Sequence, residues 1–198
     1  MDKIEKQRIV KHYNLLVKKF GLNNSGMGWR NDQLDNRYEI FLKHINFQNK
    51  TVLDFGCGIC LFQKYLKKKI KVKKYYGIEI NKNLIDILVR STENKGNIFT
   101  KNQFIKKKKK IDISISNGVH NFKTKNAFKN FLNDLKFLTS ISKYAVGISF
   151  LNDNVDYKEN YLSYKNLNKI LIFLKSKKYR FIIDNSFKKY ETFLIIYK

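Results

Sequence analysis

The 198-residue sequence contains no proline and only two cysteines, three histidines and one tryptophan. It has no run of 18 or more apolar residues, so it predicts no membrane-spanning helix. The charged residues 1–6 lack the apolar stretch of a secretory signal peptide. A low cysteine count is typical of a reducing compartment, and we therefore expect a cytoplasmic protein.

The two cysteines, Cys57 and Cys60, have the Cys-x-x-Cys spacing of redox pairs and of half of many zinc sites. The histidines His12, His44 and His120 are scattered along the chain, so no second cluster completes a metal site. We therefore predict no bound metal. A redox role for the cysteine pair stays open as an alternative.

Acidic residues are scarce: 41 lysines and arginines against 16 aspartates and glutamates give a formal net charge of +25. Such a charge attracts polyanions without sequence specificity. Lysine outnumbers arginine 36 to 5, and isoleucine and asparagine occur 23 times each, as A/T-rich codons favour. Specific nucleic-acid sites favour arginine, whose planar fork matches phosphates and guanine edges. We therefore expect any nucleic-acid binding to be nonspecific.

Residues 51–59, Thr-Val-Leu-Asp-Phe-Gly-Cys-Gly-Ile, are typical of a nucleoside-cofactor site. They begin as a short apolar run that predicts a buried parallel strand, although Asp54 is a carboxylate that is costly to bury unless it is used. Gly56 and Gly58 then allow backbone N–H groups to approach a ligand closely. The amphipathic residues 61–66 predict a helix whose positive N-terminus faces that ligand.

A second strand-like run, residues 75–80, contains an acidic residue near its end. This residue, Glu79, lies roughly 20 residues after the glycine turn, where a ribose-binding carboxylate is expected. Another apolar-periodic segment follows at residues 84–88. Two successive strand–helix units of this kind predict a cofactor that contains a ribose.

These segments resemble motifs of the class I S-adenosylmethionine-dependent methyltransferases. Residues 52–58 resemble the first motif of that superfamily, and Gly77-Ile78-Glu79 resembles the acidic end of its second strand. A nicotinamide fingerprint, Gly-x-Gly-x-x-Gly, would need glycine at the position of Leu61. The resemblance therefore implies S-adenosylmethionine as the cofactor.

Over nearly the whole chain, the sequence is most similar to small bacterial methyltransferase-like proteins of that superfamily. Their Gly-Trp segment and Gln-x-x-x-Arg-like helix are matched by residues 28–30 and by Gln33 and Arg37. Their Ser-Gly-x-x-Asn segment after the fourth strand is matched by residues 117–121. One position departs from the superfamily: Cys60 replaces a usual glycine, and its Cβ is expected to crowd the cofactor unless φ is negative.

Alternating strand and helix patterns predict an α/β fold with a Rossmann-like, seven-stranded, mostly parallel sheet, a terminal antiparallel hairpin and helices on both faces. We expect a single domain over 1–198, with residues 1–46 as a helical extension over the cofactor site and 47–198 as the core. The predicted strands are 51–56, 73–80, 97–100, 111–116, 143–150, 179–184 and 190–197. The predicted helices are 4–20, 33–45, 59–69, 82–92, 124–140 and one within 161–177.

Parallel sheets bind ligands outside the carboxyl ends of their strands. Glu79 is expected to bind the ribose hydroxyls, and Asp54 to order the glycine turn or to meet the cofactor's ammonium group through water. Arg37, or Arg30 beside Trp29, is a candidate partner of the cofactor's carboxylate; the alternatives are a surface arginine and a core tryptophan. The predicted cofactor-binding residues are Trp29, Arg37, Asp54, Gly56, Cys57, Gly58, Glu79, Ile80, Asn102, Asn117 and Gly118.

Two further positions are predicted from their place after a strand. The resemblance implies an adenine contact after the third strand, where Asn102 and Gln103 are the candidates. Residues after the fourth strand should face the transferred methyl group, and there His120 is a candidate general base because its ordinary pKa is near neutrality. A structural histidine is the alternative. Asn121 could orient the acceptor or the cofactor, so we predict His120 and Asn121 as catalytic residues.

The acceptor is expected to be small, because the chain has little room for a separate recognition domain. We therefore predict methyl transfer to a small-molecule or glycan-type acceptor. The polar, aromatic-rich residues 152–164 are expected to contact it or to anchor their own loop. An RNA methyltransferase would need the lysines to converge beside the pocket, and a cofactor-binding protein without activity is a further alternative. The sequence leaves the oligomeric state open.

Overall fold

The computed structural model describes residues 1–29, 33–90, 94 and 96–198. Two helices precede the first strand, and strands and helices then alternate. The elements are α1 (Lys3–Phe20), α2 (Leu34–His44), β1 (Thr51–Phe55), α3 (Leu61–Lys69), β2 (Lys74–Ile78), α4 (Lys82–Val89), β3 (Ile98–Phe99), α5 (Lys101–Lys106), β4 (Ile111–Asn117), α6 (Ala127–Ile141), β5 (Ser142–Leu151), α7 (Leu167–Ser176), β6 (Arg180–Lys188) and β7 (Glu191–Tyr197). Within these ranges, no helix is long and apolar enough to span a bilayer.

The described strands form one seven-stranded sheet in the order β3-β2-β1-β4-β5-β7-β6. The five strands from β3 to β5 run parallel, whereas β7 is antiparallel to both β5 and β6. The predicted Rossmann-like sheet and its terminal hairpin are therefore confirmed. The strand order reverses at β1, which lies between β2 and β4, and sheets of this kind bind ligands at such a reversal.

Apolar side chains cover both faces of the sheet, as parallel strands require. Successive residues of β1 alternate between the faces. Val52 belongs to a cluster that contains Phe41 of α2 and Leu66 of α3. Leu53 belongs to the opposite cluster, with Phe131 of α6. The strand ends that carry the glycine turn are thus held by a packed core on each side.

The short helix α5 is absent from the sequence prediction. It follows β3 directly and begins with a capping box, in which the side chain of Thr100 accepts from the backbone N–H of Gln103. The Gln103 side chain in turn accepts from the backbone N–H of Thr100 at 2.9 Å. Six residues are too few to show a helical period, so only the capping box could have indicated this helix.

Helix α1 lies across the carboxyl ends of the strands. Near its end, Asn14 accepts a hydrogen bond from Asn81, the N-cap of α4, at 2.8 Å. Near its start, Arg8 donates to the carbonyl of Lys123 and Glu5 accepts from the backbone N–H of Lys125. The helix therefore bridges the loop after β2 and the loop after β4.

Candidate active site

A cavity of about 190 Å³ lies at the carboxyl ends of β1, β2 and β4, under α1. The predicted site residues that line it are Trp29, Asp54, Gly56, Cys57, Gly58, Glu79, Ile80, Asn117, Gly118 and His120. Arg37, Asn102 and Asn121 do not belong to the lining. Below, we call the part formed by residues 54–58 with Glu79 and Ile80 the β2 side. The part formed by Gly118, His120 and residues 122–134 is called the β4 side.

The turn after β1 needs glycine at two positions. Gly56 and Gly58 have φ values of 79° and 51°, in the left-handed region that favours glycine. A Cβ on Gly56 would collide with the side chain of Val119, and one on Gly58 would lie 2.8 Å from the sulfur of Met27. Val119 and Met27, which both line the cavity, therefore leave little room for a side chain at positions 56 and 58.

Glu79 holds the glycine turn as well as facing the cavity. One carboxylate oxygen accepts from the backbone N–H of Gly58 at 2.9 Å. The other accepts from the N–H groups of Ile80 and Asn81 at 2.7 and 2.9 Å. Burial raises the pKa of Glu79, and these three hydrogen bonds oppose that rise. The sequence predicted the position of this carboxylate, but not that it orders the turn.

Asp54 is a buried carboxylate at the end of β1 that also lines the cavity. It accepts a hydrogen bond from the hydroxyl of Tyr75 at 2.5 Å. Burial raises the pKa of Asp54 to about 7, while the bond from Tyr75 acts in the opposite direction. A cation bound beside Asp54 would favour its charged form.

The two cysteines are buried, unpaired thiols. Cys57 lines the cavity, and its hydrogen bond with Cys60 and its burial raise its pKa well above the ordinary value. Because the thiolate is the reactive form, this environment suits packing better than redox chemistry. Among the described residues, no group of three or more His, Cys, Asp or Glu side chains could hold a metal ion.

Cys60 differs from its prediction. Its φ is +59°, not negative, and it forms the N-cap of α3. Its side chain is 1% exposed and packs in the apolar cluster with Phe62 and Leu66, outside the cavity lining. The replacement of glycine therefore strains the backbone but does not crowd the cavity.

Arg37 lies behind the cavity wall, in contrast to its predicted pairing with a cofactor carboxylate. Its guanidinium pairs with the fully buried carboxylate of Glu191 and lies 4.5 Å from the ring centroid of Trp29. The Trp29 ring in turn lies against Gly118, where a Cβ would collide with it. Arg37 thus supports the wall through Trp29, while Arg30 lies outside the described residues.

Asn102 also differs from its prediction, because it lies on the exposed side of α5 and away from the cavity. The capping box of α5 explains this position: it turns the chain into a helix directly after β3. Neither Asn102 nor Gln103 therefore lines the expected adenine end of the cavity.

The loop after β4 is fixed by hydrogen bonds to β5. The N–H of Gly118 donates to Ser149 Oγ at 2.9 Å, and that hydroxyl donates to Asn117 Oδ1 at 2.7 Å. Asn121 accepts from the N–H of Leu151 at 3.2 Å through its side chain. Asn121 therefore positions the loop and does not itself line the cavity.

His120 is buried among aromatic rings. Its ring stacks on Phe55, with centroids 6.5 Å apart and planes 13° apart, and meets the edge of Phe131 at 5.2 Å. Its Nε2 is buried without a hydrogen-bond partner. Desolvation, and then the charges of Lys165 and Lys101, lower the pKa of His120 to about 3. The pKa of His120 in this environment is therefore well below the value near neutrality that the sequence suggested, and the imidazole is neutral.

Lys165 is a functional candidate that sequence reasoning missed. Although only 2% exposed, it donates to the His120 carbonyl and to the carbonyl and hydroxyl of Ser163, the last two at 3.2 and 2.9 Å. Burial lowers the pKa of Lys165 to about 8. One lysine among 36 gives no signal in the sequence, so only the fold could identify it.

The residues by which α1 and α6 line the cavity are not among the predicted site residues, since neither helix carries a recognisable motif. Their residues, with those of the adjoining loops, include Tyr13, Met27, Phe122, Asn130 and Asp134. Hydrophobic periodicity locates such helices but does not show which of their residues reach a ligand.

The described residues fit S-adenosylmethionine. Glu79 offers a carboxylate for the ribose hydroxyls, and the glycine turn lines the cavity without a side chain at positions 56 and 58. The positive N-terminus of α3 also faces the cavity, where Leu61 belongs to the lining. Asp54 offers a negative charge for an ammonium group. The donor set thus matches a ligand that carries a ribose, a carboxylate and a cation.

Comparisons with known proteins agree with this fit. The family described as "Methyltransferase small domain" matches residues 22–138. "Ribosomal RNA small subunit methyltransferase A" of Mesomycoplasma hyopneumoniae (strain 232) is 33% identical over 105 residues, which are 50% of this chain and 39% of that relative. The matching segment thus spans well under half of that relative's length.

Solved structures share the fold at low sequence identity. The "DhpI-SAM-HEP complex" superposes with a TM-score of 0.66 at 9% identity, over 98% of this chain and 96% of that chain. A SAM-dependent methyltransferase from Archaeoglobus fulgidus gives a TM-score of 0.65 at 16% identity, over 94% and 100%. With a family match over more than half of its length, the chain belongs to the methyltransferase small domain family, within the class I S-adenosylmethionine-dependent methyltransferases.

Proposed function

We propose that this enzyme transfers the methyl group of S-adenosylmethionine to a small-molecule or glycan-type acceptor. The observation that carries the proposal is the cavity itself, in which the glycine turn, Glu79 and the loop after β4 meet under α1. Because α1 bridges the loops on both sides, the described residues leave a covered space and not an open platform.

On the β2 side we assign the cofactor-binding residues. Glu79 binds the ribose hydroxyls, and Asp54 favours the ammonium group of the methionine portion. Ile80 and Cys57 supply wall contacts beside them. Trp29, supported by Arg37, covers the turn at Gly118. The cofactor, when bound, supplies a methyl group on a positively charged sulfur.

On the β4 side we assign acceptor binding. Phe122, Thr124, Asn130 and Asp134 line this part of the cavity, beside the turn that carries Asn117, Gly118 and His120. Methyl transfer from sulfur is an in-line displacement, so its rate depends on how accurately the acceptor is held. Asn121 contributes indirectly, because its hydrogen bond to Leu151 fixes this turn.

RNA is the second candidate acceptor. The rRNA methyltransferase relative supports it, as do the basic residues at the rim of the β4 side, Arg8, Lys123 and Lys125. Nonspecific attraction through phosphates alone would give binding that weakens steeply with salt. Single-stranded RNA binding that is still measurable at about 0.3 M salt, and that weakens further when these three residues are replaced, would favour RNA over a small acceptor.

Calorimetric titration with S-adenosylhomocysteine, after extraction of any copurified nucleoside, tests the cofactor assignment. We expect a dissociation constant of roughly micromolar for this ligand and no heat of binding for NAD as the control. Absence of S-adenosylhomocysteine binding would refute the assignment of the β2 side, and with it the proposed transfer.

We also propose that the enzyme works in the cytoplasm. Both cysteines are unpaired thiols, as expected of a protein kept in a reducing compartment. Immunodetection of the protein in fractionated cells tests this; recovery outside the cytoplasmic fraction would contradict it.

A further inference from the structure

A buried cation lies directly behind the acceptor-binding turn. All three protons of the Lys165 ammonium are used on the carbonyl of His120 and on Ser163. No carboxylate of the described residues forms an ion pair with it. A buried charge without a counter-charge is costly, so a function is expected of it.

Further basic groups surround the β4 side. The guanidinium of Arg8 lies 5.2 Å from the ring centroid of Phe122, a cavity-lining residue. Lys123 and Lys125 alternate with cavity-lining residues on the same loop. Together with Lys165, they place an excess of positive charge around this end of the cavity.

The acidic groups nearby are already occupied. Asp134 lines the cavity, but its carboxylate holds the ammonium of Lys101 at 2.7 Å. Glu5 accepts a hydrogen bond from the N–H of Lys125. Asp134 is therefore already paired with a cation, and neither of these carboxylates contacts Lys165.

The histidine on the β4 side is a poor base. A general base works best when its pKa is near the working pH. Burial and two lysines lower the pKa of His120 to about 3, so this imidazole is a weak proton acceptor. An acceptor that must lose a proton, such as a neutral hydroxyl, would find little assistance from His120.

We propose that the acceptor atom is an oxygen that already carries negative charge, in a carboxylate or a phosphate-type group, and that neutral His120 binds this group as a hydrogen-bond donor. The inference rests on the proposed function and specifies its acceptor. The anionic oxygen attacks the methyl carbon, a C–O bond forms, the C–S bond breaks, and its electron pair neutralises the sulfonium. No proton is transferred, so the reaction needs no base.

Matched probes test the inference without knowledge of the natural substrate. Benzoate, phenylphosphonate and benzyl alcohol are titrated into the protein saturated with S-adenosylhomocysteine and followed by ligand-observed NMR. Salt at about 0.2 M screens exposed lysines. We expect one of the two anions to bind at least about 10-fold more tightly than the neutral alcohol, since hydrogen bonds to charged groups are the stronger ones.

The variant His120→Phe keeps the aromatic packing and, because the imidazole is neutral, the net charge. Nonspecific attraction of anions should therefore be the same in this variant as in the wild type. If the variant loses the preference for an anion over benzyl alcohol, that preference comes from the imidazole. Lys165→Met, which removes the buried charge, should also reduce that preference, whereas Lys175→Met, on the exposed end of α7, should not. Both active-site variants should bind S-adenosylhomocysteine within about twofold of the wild type, since their changes lie on the β4 side.

The outcomes are distinct. If S-adenosylhomocysteine does not bind, the proposed function fails. If it binds but benzyl alcohol binds as tightly as both anions, the oxyanion acceptor is wrong and the proposed transfer stands. A preference for an anion that survives His120→Phe overturns the role of His120. Benzoate and phenylphosphonate together tell a carboxylate acceptor from a phosphate-type one.

Discussion

The two sides of the cavity are built in different ways. On the β2 side, the ligand-facing groups lie within 26 residues of sequence, from Asp54 to Glu79, and are joined by hydrogen bonds between neighbouring strand ends. On the β4 side, the turn that carries His120 is held by Lys165 and Leu151. The first side is specified by a local motif, and the second by contacts between segments far apart in sequence.

This difference separates cofactor binding from acceptor binding in physical terms. A site on the ends of two packed strands has little freedom to change without loss of the fold. A site made by loops and by α1 can change its acceptor through residues such as Arg8, Phe122 or Lys165, and the strands stay as they are. We therefore expect changes on the β4 side to alter acceptor binding and those on the β2 side to alter cofactor binding.

The largest expected effect is that of Arg37→Met. Arg37 and Glu191 form a buried ion pair, and removal of one partner leaves a buried charge unpaired. We expect a loss of about 3–5 kcal/mol in the free energy of unfolding, measured with urea. Emission from Trp29, the only tryptophan, should shift to longer wavelength because Arg37 packs on its ring.

The double variant with Glu191→Leu is the control for that prediction. Replacement of both partners by apolar residues should recover most of the lost stability, because no charge is left buried. A loss below about 1 kcal/mol for Arg37→Met alone would show that the pair contributes little, and that Trp29 is positioned by other contacts.

The next prediction compares the pH dependence of the two sides. Asp54 has a folded pKa of about 7, above its ordinary 3.8, so its contribution to stability is full at low pH and is lost as pH rises to 7. His120 has a folded pKa of about 3, below its ordinary 6.5, so its contribution is full above 6.5 and is lost as pH falls. Between about pH 4 and 6.5, Asp54 and His120 therefore change the free energy of unfolding in opposite directions, each by at most about 4 kcal/mol.

Single variants should separate these two contributions. Relative to the wild type, Asp54→Asn should lose stability as pH falls from 7 to 4, and His120→Phe should gain it. Urea unfolding of the three proteins at several pH values measures the difference. Parallel curves for a variant and the wild type would show that the substituted group does not titrate differently in the folded state.

Glu79→Gln should act mainly on the cofactor. The amide keeps one acceptor oxygen but loses the charge and the second acceptor. The hydrogen bond from Gly58 and the proposed ribose contact should therefore both weaken. We expect about 2 kcal/mol of lost affinity, or about 30-fold in the dissociation constant of S-adenosylhomocysteine by calorimetry. Asp86→Asn, an exposed change of the same charge on α4, should leave this constant unchanged.

Sequence patterns predicted what depends on local chemistry. The glycine turn, the strand alternation and the terminal hairpin follow from residue type and period, and the structure agrees with them. Arg37 could not be placed the same way, because its partner Glu191 lies 154 residues away. The same holds for His120, whose low pKa comes from Phe55, Phe131 and two lysines that only the fold brings together.

The smallest effect we predict concerns Cys60. Its φ of +59° costs a residue with a Cβ about 1–2 kcal/mol, whereas glycine adopts this conformation without strain. Cys60→Ala and Cys60→Gly both remove the buried thiol, and they differ chiefly in this strain. We expect the glycine variant to be more stable than the alanine variant by about 1 kcal/mol in urea unfolding, against the ordinary order for helix propensity. Because Cys60 lies outside the cavity lining, both variants should bind S-adenosylhomocysteine as the wild type does. An affinity that changes only in the glycine variant would show that the strained backbone at this position affects cofactor binding on the β2 side.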